Sequence, residues 1–200
     1  MIVVAVEGDT DIPFVKALCQ SAGFEPREPL LDARGKSGLD LKIKPWAKAA
    51  QGSPHLIVRD LVRDAPCAPE WLQVHAPPGA GEFFCLRLAV RAVESWALGD
   101  AAALARTLHI PTSRIPSDPD SLEDPKRALV DLARLSKRPE LRRQLVPATG
   151  VSRKAGPGYE AWLIDFGTHH WNIERAQRSS ESLRRAAIAL KRLNALWQRL

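Results

Sequence analysis

The chain has 200 residues, 45% of them hydrophobic and 26% charged, a balance that suits a folded globular protein and excludes the disordered and fibrous classes. Its length suffices for a well-buried α/β core with or without a helical appendage. The formal net charge of +6 is unevenly spread: residues 1–100 carry 11 Lys/Arg against 13 Asp/Glu, net −2, and residues 101–200 carry 18 against 10, net +8.

No stretch reaches the roughly 18 apolar residues of a membrane span, and the first residues read as a strand rather than a basic, cleavable leader. A cytoplasmic protein with no membrane partner is therefore expected. Cys19, Cys67 and Cys85 are odd in number and widely spaced, so neither a disulfide framework nor a zinc cluster is expected.

In chain order, the apolar run Ile2 to Val6 predicts a strand ending at Glu7. The turn Gly8-Asp9-Thr10-Asp11 then leads into a helix through Phe14, Val15, Ala17 and Leu18, capped by Asp9, Thr10 or Asp11 and closed by Gly23. A short strand is expected near Pro29 to Asp32, and a helix from about Leu39 to Ala50. A third strand runs from Leu56 to Asp60, a short helix passes through Trp71 and Leu72, and a fourth strand runs from Phe83 to Val90 towards Glu94. These strand runs are continuous rather than alternating, as when helices cover both faces of a parallel sheet.

From about Trp96 onward the pattern is helical: Ala101 to Leu108, Pro125 to Leu135, Pro139 to Leu145, Tyr159 to Phe166, and Glu181 to the end. The division expected is an α/β domain over residues 1–98 and a basic helical region over 99–200 packed on it. In the last helix Leu183, Ala186, Leu190, Leu193, Trp197 and Leu200 form a seam with spacings of three and four, while Arg178, Arg185, Arg192 and Arg199 recur on another face. Packing against the chain's own fold is expected of this seam; a homodimer or partner interface is the alternative.

Parallel α/β sheets bind ligands outside the carboxyl ends of their strands, so Glu7 and Asp60 are expected to meet at one edge, with Asp64 and Glu94 in support. Carboxylates brought together without cations repel, and either share protons or hold a hard cation. Mg²⁺ or Mn²⁺ suits such a site, because Mg²⁺ takes one or two carboxylates and fills its shell with water and substrate phosphates. Held there, the cation would work on a phosphodiester. The alternative for each acid is a helix cap or an arginine partner.

The basic second half suits a polyanion. Arg142, Arg143, Arg153 and Lys154 are candidate contacts to the backbone of DNA or RNA, the last two in a Gly/Pro loop able to follow a phosphate chain. Arg59 and Arg63 flank the acids, and Arg91 lies near Glu94; these either bind substrate phosphate or neutralise the carboxylates. Gly35-Lys36-Ser37-Gly38 fails the P-loop pattern, since Leu30 stands where glycine is required, and leaves Lys36 as a phosphate contact only. Adjacent His169 and His170 point different ways on regular structure and are expected at the surface.

The segment Val4-Ala5-Val6-Glu7-Gly8-Asp9-Thr10-Asp11, followed by an apolar helix and an acidic strand end, resembles the Toprim fold of topoisomerases, primases and old-type nucleases. Arg59-Asp60-Leu61-Val62-Arg63-Asp64-Ala65-Pro66-Cys67, Ala89 to Trp96, Asp124-Pro125-Lys126 and Gly156-Pro157-Gly158-Tyr159 resemble a bacterial Toprim-related family known mainly as a domain of unknown function. The resemblance implies a mostly parallel Toprim-like sheet flanked by helices and a helical C-terminal region. It implies a Mg²⁺-dependent nuclease with Glu7, Asp60 and Asp64 as catalytic residues, Glu94 as a further metal ligand, and an ATPase partner in bacterial defence. It also places a second aspartate where this chain has Val62; Asp64 is the replacement, or else the protein is a non-catalytic component of an ATPase complex.

Overall fold

A computed structural model describes residues 1–199. Its sheet contains β1 (Val3–Val6), β2 (Leu31–Asp32), β3 (His55–Asp60) and β4 (Phe84–Ala89) in the order β2-β1-β3-β4. Every pairing is parallel; Val3, Val4 and Ala5 stand beside His55, Leu56 and Ile57, and β3 pairs with β4 over His55 to Asp60. Parallel strands need crossover helices: α1 (Ile12–Ser21), α2 (Lys36–Ala49) and α3 (Ala68–His75) supply them.

The runs are apolar because both faces are covered. Val4, Val6, Leu56, Val58, Cys85 and Ala89 face one core, while Ala5, Ile57, Leu86 and Leu88 face another with Leu39 and Ile43 of α2 and Trp71 of α3. The larger core takes in α1 and most of the helices that follow the sheet: α4 (Val93–Gly99), α5 (Ala101–Leu108), α6 (Pro125–Arg134), α7 (Pro139–Leu145), α8 (Tyr159–His169), α9 (Ile173–Ala176) and α10 (Glu181–Trp197). One apolar cluster therefore spans β1 and α10, and the helical half is built onto the sheet rather than beside it.

Local signals explain most boundaries. Gly23 adopts φ +81°, the left-handed position that ends α1. Asp124 accepts from the N–H of Arg127 and caps α6 ahead of Pro125, and the Ser180 hydroxyl accepts from Leu183 N–H at the start of α10. Leu183, Ala186, Leu190 and Leu193 are buried in the chain's own core, so this seam packs internally; Leu200 lies outside the described residues. The helix at Val93 begins three residues before the sequence placed it, and the single turn of α9 was not foreseen. Cys19, Cys67 and Cys85 are free thiols, and no described helix is long and apolar enough to cross a membrane.

The order of the sheet fixes where chemistry can occur. From β1 the chain crosses to β2 on one side, and from β2 it returns to β3 on the other, so the connections diverge between β1 and β3. Such a switch point opens a crevice at the carboxyl ends of the strands. Glu7 and Asp60 stand at that edge.

Just beyond β3, Val62 holds φ +48° while its N–H donates to the Arg91 carbonyl at 2.7 Å. A β-branched residue in this region is strained, by about 1–2 kcal/mol, and Val62 is 41% exposed, so little packing compensates. Val62→Asn, which tolerates the left-handed region, is expected to raise the melting temperature by about 1–4 °C; a fall on thermal denaturation would contradict the strain.

Candidate functional site

Six carboxylates line one cavity of about 470 Å³: Glu123 and Asp124, from the segment ahead of α6, and a group of four, Glu7, Asp11, Asp60 and Glu94. Each of the four is delivered by a different piece of backbone. Glu7 follows β1, Asp11 ends the 3-10 turn Asp9–Asp11, Asp60 closes β3, and Glu94 lies in the first turn of α4. Asp11 and Glu94 are only 6% and 8% exposed, so the acids form a recessed floor.

Hydrogen bonds hold this floor together. The N–H of Asp60 donates to Glu7 Oε1 at 2.9 Å, joining the ends of β1 and β3 directly. Asp60 Oδ1 accepts from Val93 N–H at 3.0 Å, and Asp11 Oδ2 accepts from the N–H groups of Glu7 and Gly8 at 3.1 and 3.2 Å. The hydroxyl of Tyr159, at the start of α8, donates to Glu94 Oε1 at 3.1 Å. Donors of this kind stabilise charge, but none supplies a countercharge.

The proton affinities follow. Burial, reinforced by Asp11, Glu94 and Glu7, pushes the Asp60 carboxyl well above the usual carboxylate range. Burial, with the nearby charges of Glu94 and Glu7, raises Asp11 to about 7 against the hydrogen bonds from Gly8 and Glu7. Burial also raises Glu7, with the Asp60 N–H and the Arg59 charge opposing. Burial and the adjoining Glu94 push the Tyr159 phenol up, so it stays a donor.

Two sequence expectations are corrected here. Asp64 does not join the floor: it receives hydrogen bonds from Lys36 Nζ at 2.8 Å and Arg59 Nη2 at 2.6 Å. The little burial it has would raise its carboxyl, but these two partners hold it below the usual range. Arg59 is not a phosphate contact, because it is 2% exposed. It bonds Asp40 at 2.7 Å and Asp64, donates to the Asp60 carbonyl, and lies over the Trp71 ring at 4.4 Å. Along β3, Arg59 shares the face of Ile57 and serves the smaller core, whereas Asp60 faces the opposite way.

The other cations are distributed unevenly. Arg63, Arg91, Lys126 and Lys154 line the acidic cavity. Lys154 also lines a neighbouring hollow with Lys126 and Arg153. Lys36 is occupied by Asp64, Arg143 lies near Glu140 at 3.6 Å, and Arg142 donates to the Ser136 carbonyl; none of the three lines the cavity. His169 and His170 lie near Asp165, also away from it.

From sequence Asp11 is expected only as a cap, and Tyr159 and Lys126 have no expected role. Asp11 was detectable as an acid four residues after Glu7 across a glycine turn, a spacing that lets its carboxylate receive the N–H groups of Glu7 and Gly8. Tyr159 and Lys126 lie in two of the short segments that carry the family resemblance, but the packing of α6 and α8 is what brings them to Glu94 and to each other.

Hard oxygen donors without a countercharge in contact suit a Mg²⁺-type cation, which neutralises their mutual repulsion. Glu7, Asp11 and Asp60 would hold it, with Glu94 in support. Among the described residues no three acidic, histidine or cysteine side chains are already drawn together as a metal cage; the oxygens are instead spread over backbone N–H groups. Compared with protein-family models, curated proteins and solved structures, the chain matches none.

Raised carboxyl groups set the sign of the pH dependence. From an ordinary value of 3.8 to about 7 for Asp11, the unfolded chain releases its proton before the folded one, so folding stability falls as pH rises through that window. In a chelator the melting temperature is expected to drop between pH 5 and 8. Mn²⁺ at about a hundred times its Kd should restore about 2.7 kcal/mol at pH 7.5 and much less at pH 5. Asp64→Asn should preserve this Mn²⁺ effect and Asp60→Asn should remove it; the opposite ranking would place the cation at Asp64.

Proposed function

We propose that the protein is a divalent-cation-dependent nuclease that hydrolyses phosphodiester bonds of nucleic acid. The observation that carries this reading is the cavity that sets Glu7, Asp11, Asp60 and Glu94 beside Arg63, Arg91, Lys126 and Lys154, with Glu123 and Asp124 also lining it. A protein that only bound a polyanion would gain nothing from buried acids beneath the site, whereas a cation bridging acid floor and phosphate needs both charges. The resemblance to Toprim nucleases, carried by Glu7 and by the segment around Asp60, supports the same reading, as does the parallel sheet with both acids at its switch point.

A bound Mg²⁺ or Mn²⁺ supplies Lewis-acid stabilisation of the phosphoryl group and an activated water. The chain's own residues do the rest. Glu7, Asp11 and Asp60 would hold the cation as carboxylates, Tyr159 donates to Glu94 Oε1, and Arg63 and Lys126 would offset phosphate charge at the wall. Arg91 donates to the carbonyls of Ala65 and Pro66, so its charge is fixed in place.

A second reading is favoured by Val62, which lines the cavity where the resemblance implies an aspartate. Here the acidic edge is degenerate and the protein serves as a non-catalytic partner of an ATPase. One experiment separates the two: plasmid and single-stranded substrates are incubated with the protein in Mg²⁺ or Mn²⁺, with and without the cognate ATPase. Cleavage is expected, with Glu7→Gln and Asp60→Asn each lowering it at least about 100-fold, the scale of losing a charge-stabilising group. Activity surviving both substitutions would eliminate the site. Activity appearing only in Val62→Asp would establish the degenerate reading.

A further inference from the structure

The cavity that holds the acids is the middle of three. On one side it shares Lys126 and Lys154 with a hollow of about 400 Å³ that also contains Arg153. On another it shares Arg63, Arg91 and Glu123 with a hollow of about 530 Å³ that also contains Asp64, already paired with Lys36 and Arg59. The two outer hollows have no residue in common, so they flank the acids on different walls. Five cations therefore stand along a path whose centre is the acidic floor.

These cations are differently prepared. Among the described residues Lys126, Arg153 and Lys154 make no ion pair. Lys126 is seated over the Tyr159 ring, its Nζ 4.8 Å from the centroid. Arg63 is 78% exposed, with Glu123 at 3.9 Å as its nearest acid. The loop carrying Arg153 and Lys154 is anchored to the end of α7, for Gly156 N–H donates to the Leu145 carbonyl at 2.9 Å and Gly158 N–H to the Gln144 carbonyl at 2.9 Å. A Cβ on Gly156 would sit 2.3 Å from the Gln144 oxygen, so only glycine permits this approach.

We infer that these hollows form one trough that holds a single nucleic-acid strand by its phosphates and does not read its bases. This rests on the nuclease reading for its central phosphate and extends it to strandedness and sequence preference. The cations are what a phosphate chain needs, and among the described residues no aromatic face for stacking bases is open in the three hollows. Tyr159 is the one aromatic residue lining the three hollows, and at 1% exposure beneath Lys126 it offers no stacking face. A duplex is stiff over about 150 base pairs and keeps its phosphates on a fixed helical line. A flexible strand can dip one phosphate to the recessed floor while its neighbours stay on the two flanking groups of cations.

Binding measured in EDTA separates this from catalysis. Fluorescence anisotropy of the full chain with labelled 12-mers is expected to give at least tenfold tighter binding of single strands than of duplex. Single strands of different sequence should agree within about threefold, and log K should fall against log salt with a slope near −3.5, about 0.7 for each of five neutralised phosphates. Lys126→Gln and Lys154→Gln should each weaken every sequence alike and reduce the slope by about 0.7, while Arg143→Gln, outside the trough, changes nothing. Equal or tighter duplex binding, a tenfold sequence preference, or an unchanged slope in both lysine variants would overturn the trough. Asp60→Asn should keep single-strand binding and lose cleavage. Strand binding without any cleavage in Mn²⁺ sinks the nuclease reading alone, and cleavage without strand preference sinks the trough alone.

Discussion

The structure depends on the contact between the carboxyl ends of β1 and β3, where the N–H of Asp60 donates to Glu7 Oε1 at 2.9 Å. Parallel pairing places both ends at one edge of the sheet, and the reversal of the chain between β2 and β3 keeps crossover helices out of the space in front of them. Asp11 and Glu94 then arrive from the first turn after β1 and the first helix after β4. Isolated carboxylates are too costly to bury unless they are protonated or paired. Here the cost is met by hydrogen bonds from Asp60, Val93, Glu7, Gly8 and Tyr159, together with proton uptake, a balance that a cation can replace.

Charge is partitioned between the two faces of the sheet to preserve that balance. Arg59 is one residue from Asp60 yet serves the smaller core, where it is sandwiched by Trp71, Asp40 and Asp64. Alternation along a strand makes this possible, since adjacent side chains leave on opposite faces. Had the chain placed Arg59 on the acid side, its guanidinium would neutralise Glu7 and Asp60. Arg63, Arg91, Lys126 and Lys154 line the same cavity as the acids, together with Glu123 and Asp124.

How much of this was legible follows the range of the forces involved. The strands, most helices and the meeting of Glu7 with Asp60 could be read from continuous apolar runs ending in acids, because a parallel sheet converts that local pattern into a shared edge. Asp64 misled because proximity in sequence to Asp60 suggested proximity in function; four residues past the strand, the chain had already turned towards Lys36 and Arg59. Asp11 was hidden behind its plausible role as a cap. Tyr159 and Lys126 reach α4 only through packing of distant helices, and no short-range pattern encodes that. The basic second half was legible as a charge imbalance, and of the four cations singled out in it Arg153 and Lys154 line hollows continuous with the acids, whereas Arg142 and Arg143 do not.

The most direct measurement is anomalous scattering from a crystal of the protein equilibrated with Mn²⁺. The expected result is a single strong peak in the cavity, with at least one carboxylate oxygen of Glu7 and one of Asp60 within coordination distance, about 2.0–2.1 Å for a Mg²⁺-like ion. A peak at Asp40 and Asp64 instead, or none at saturating Mn²⁺ with the four acids left as they are, would contradict a cation site between β1 and β3.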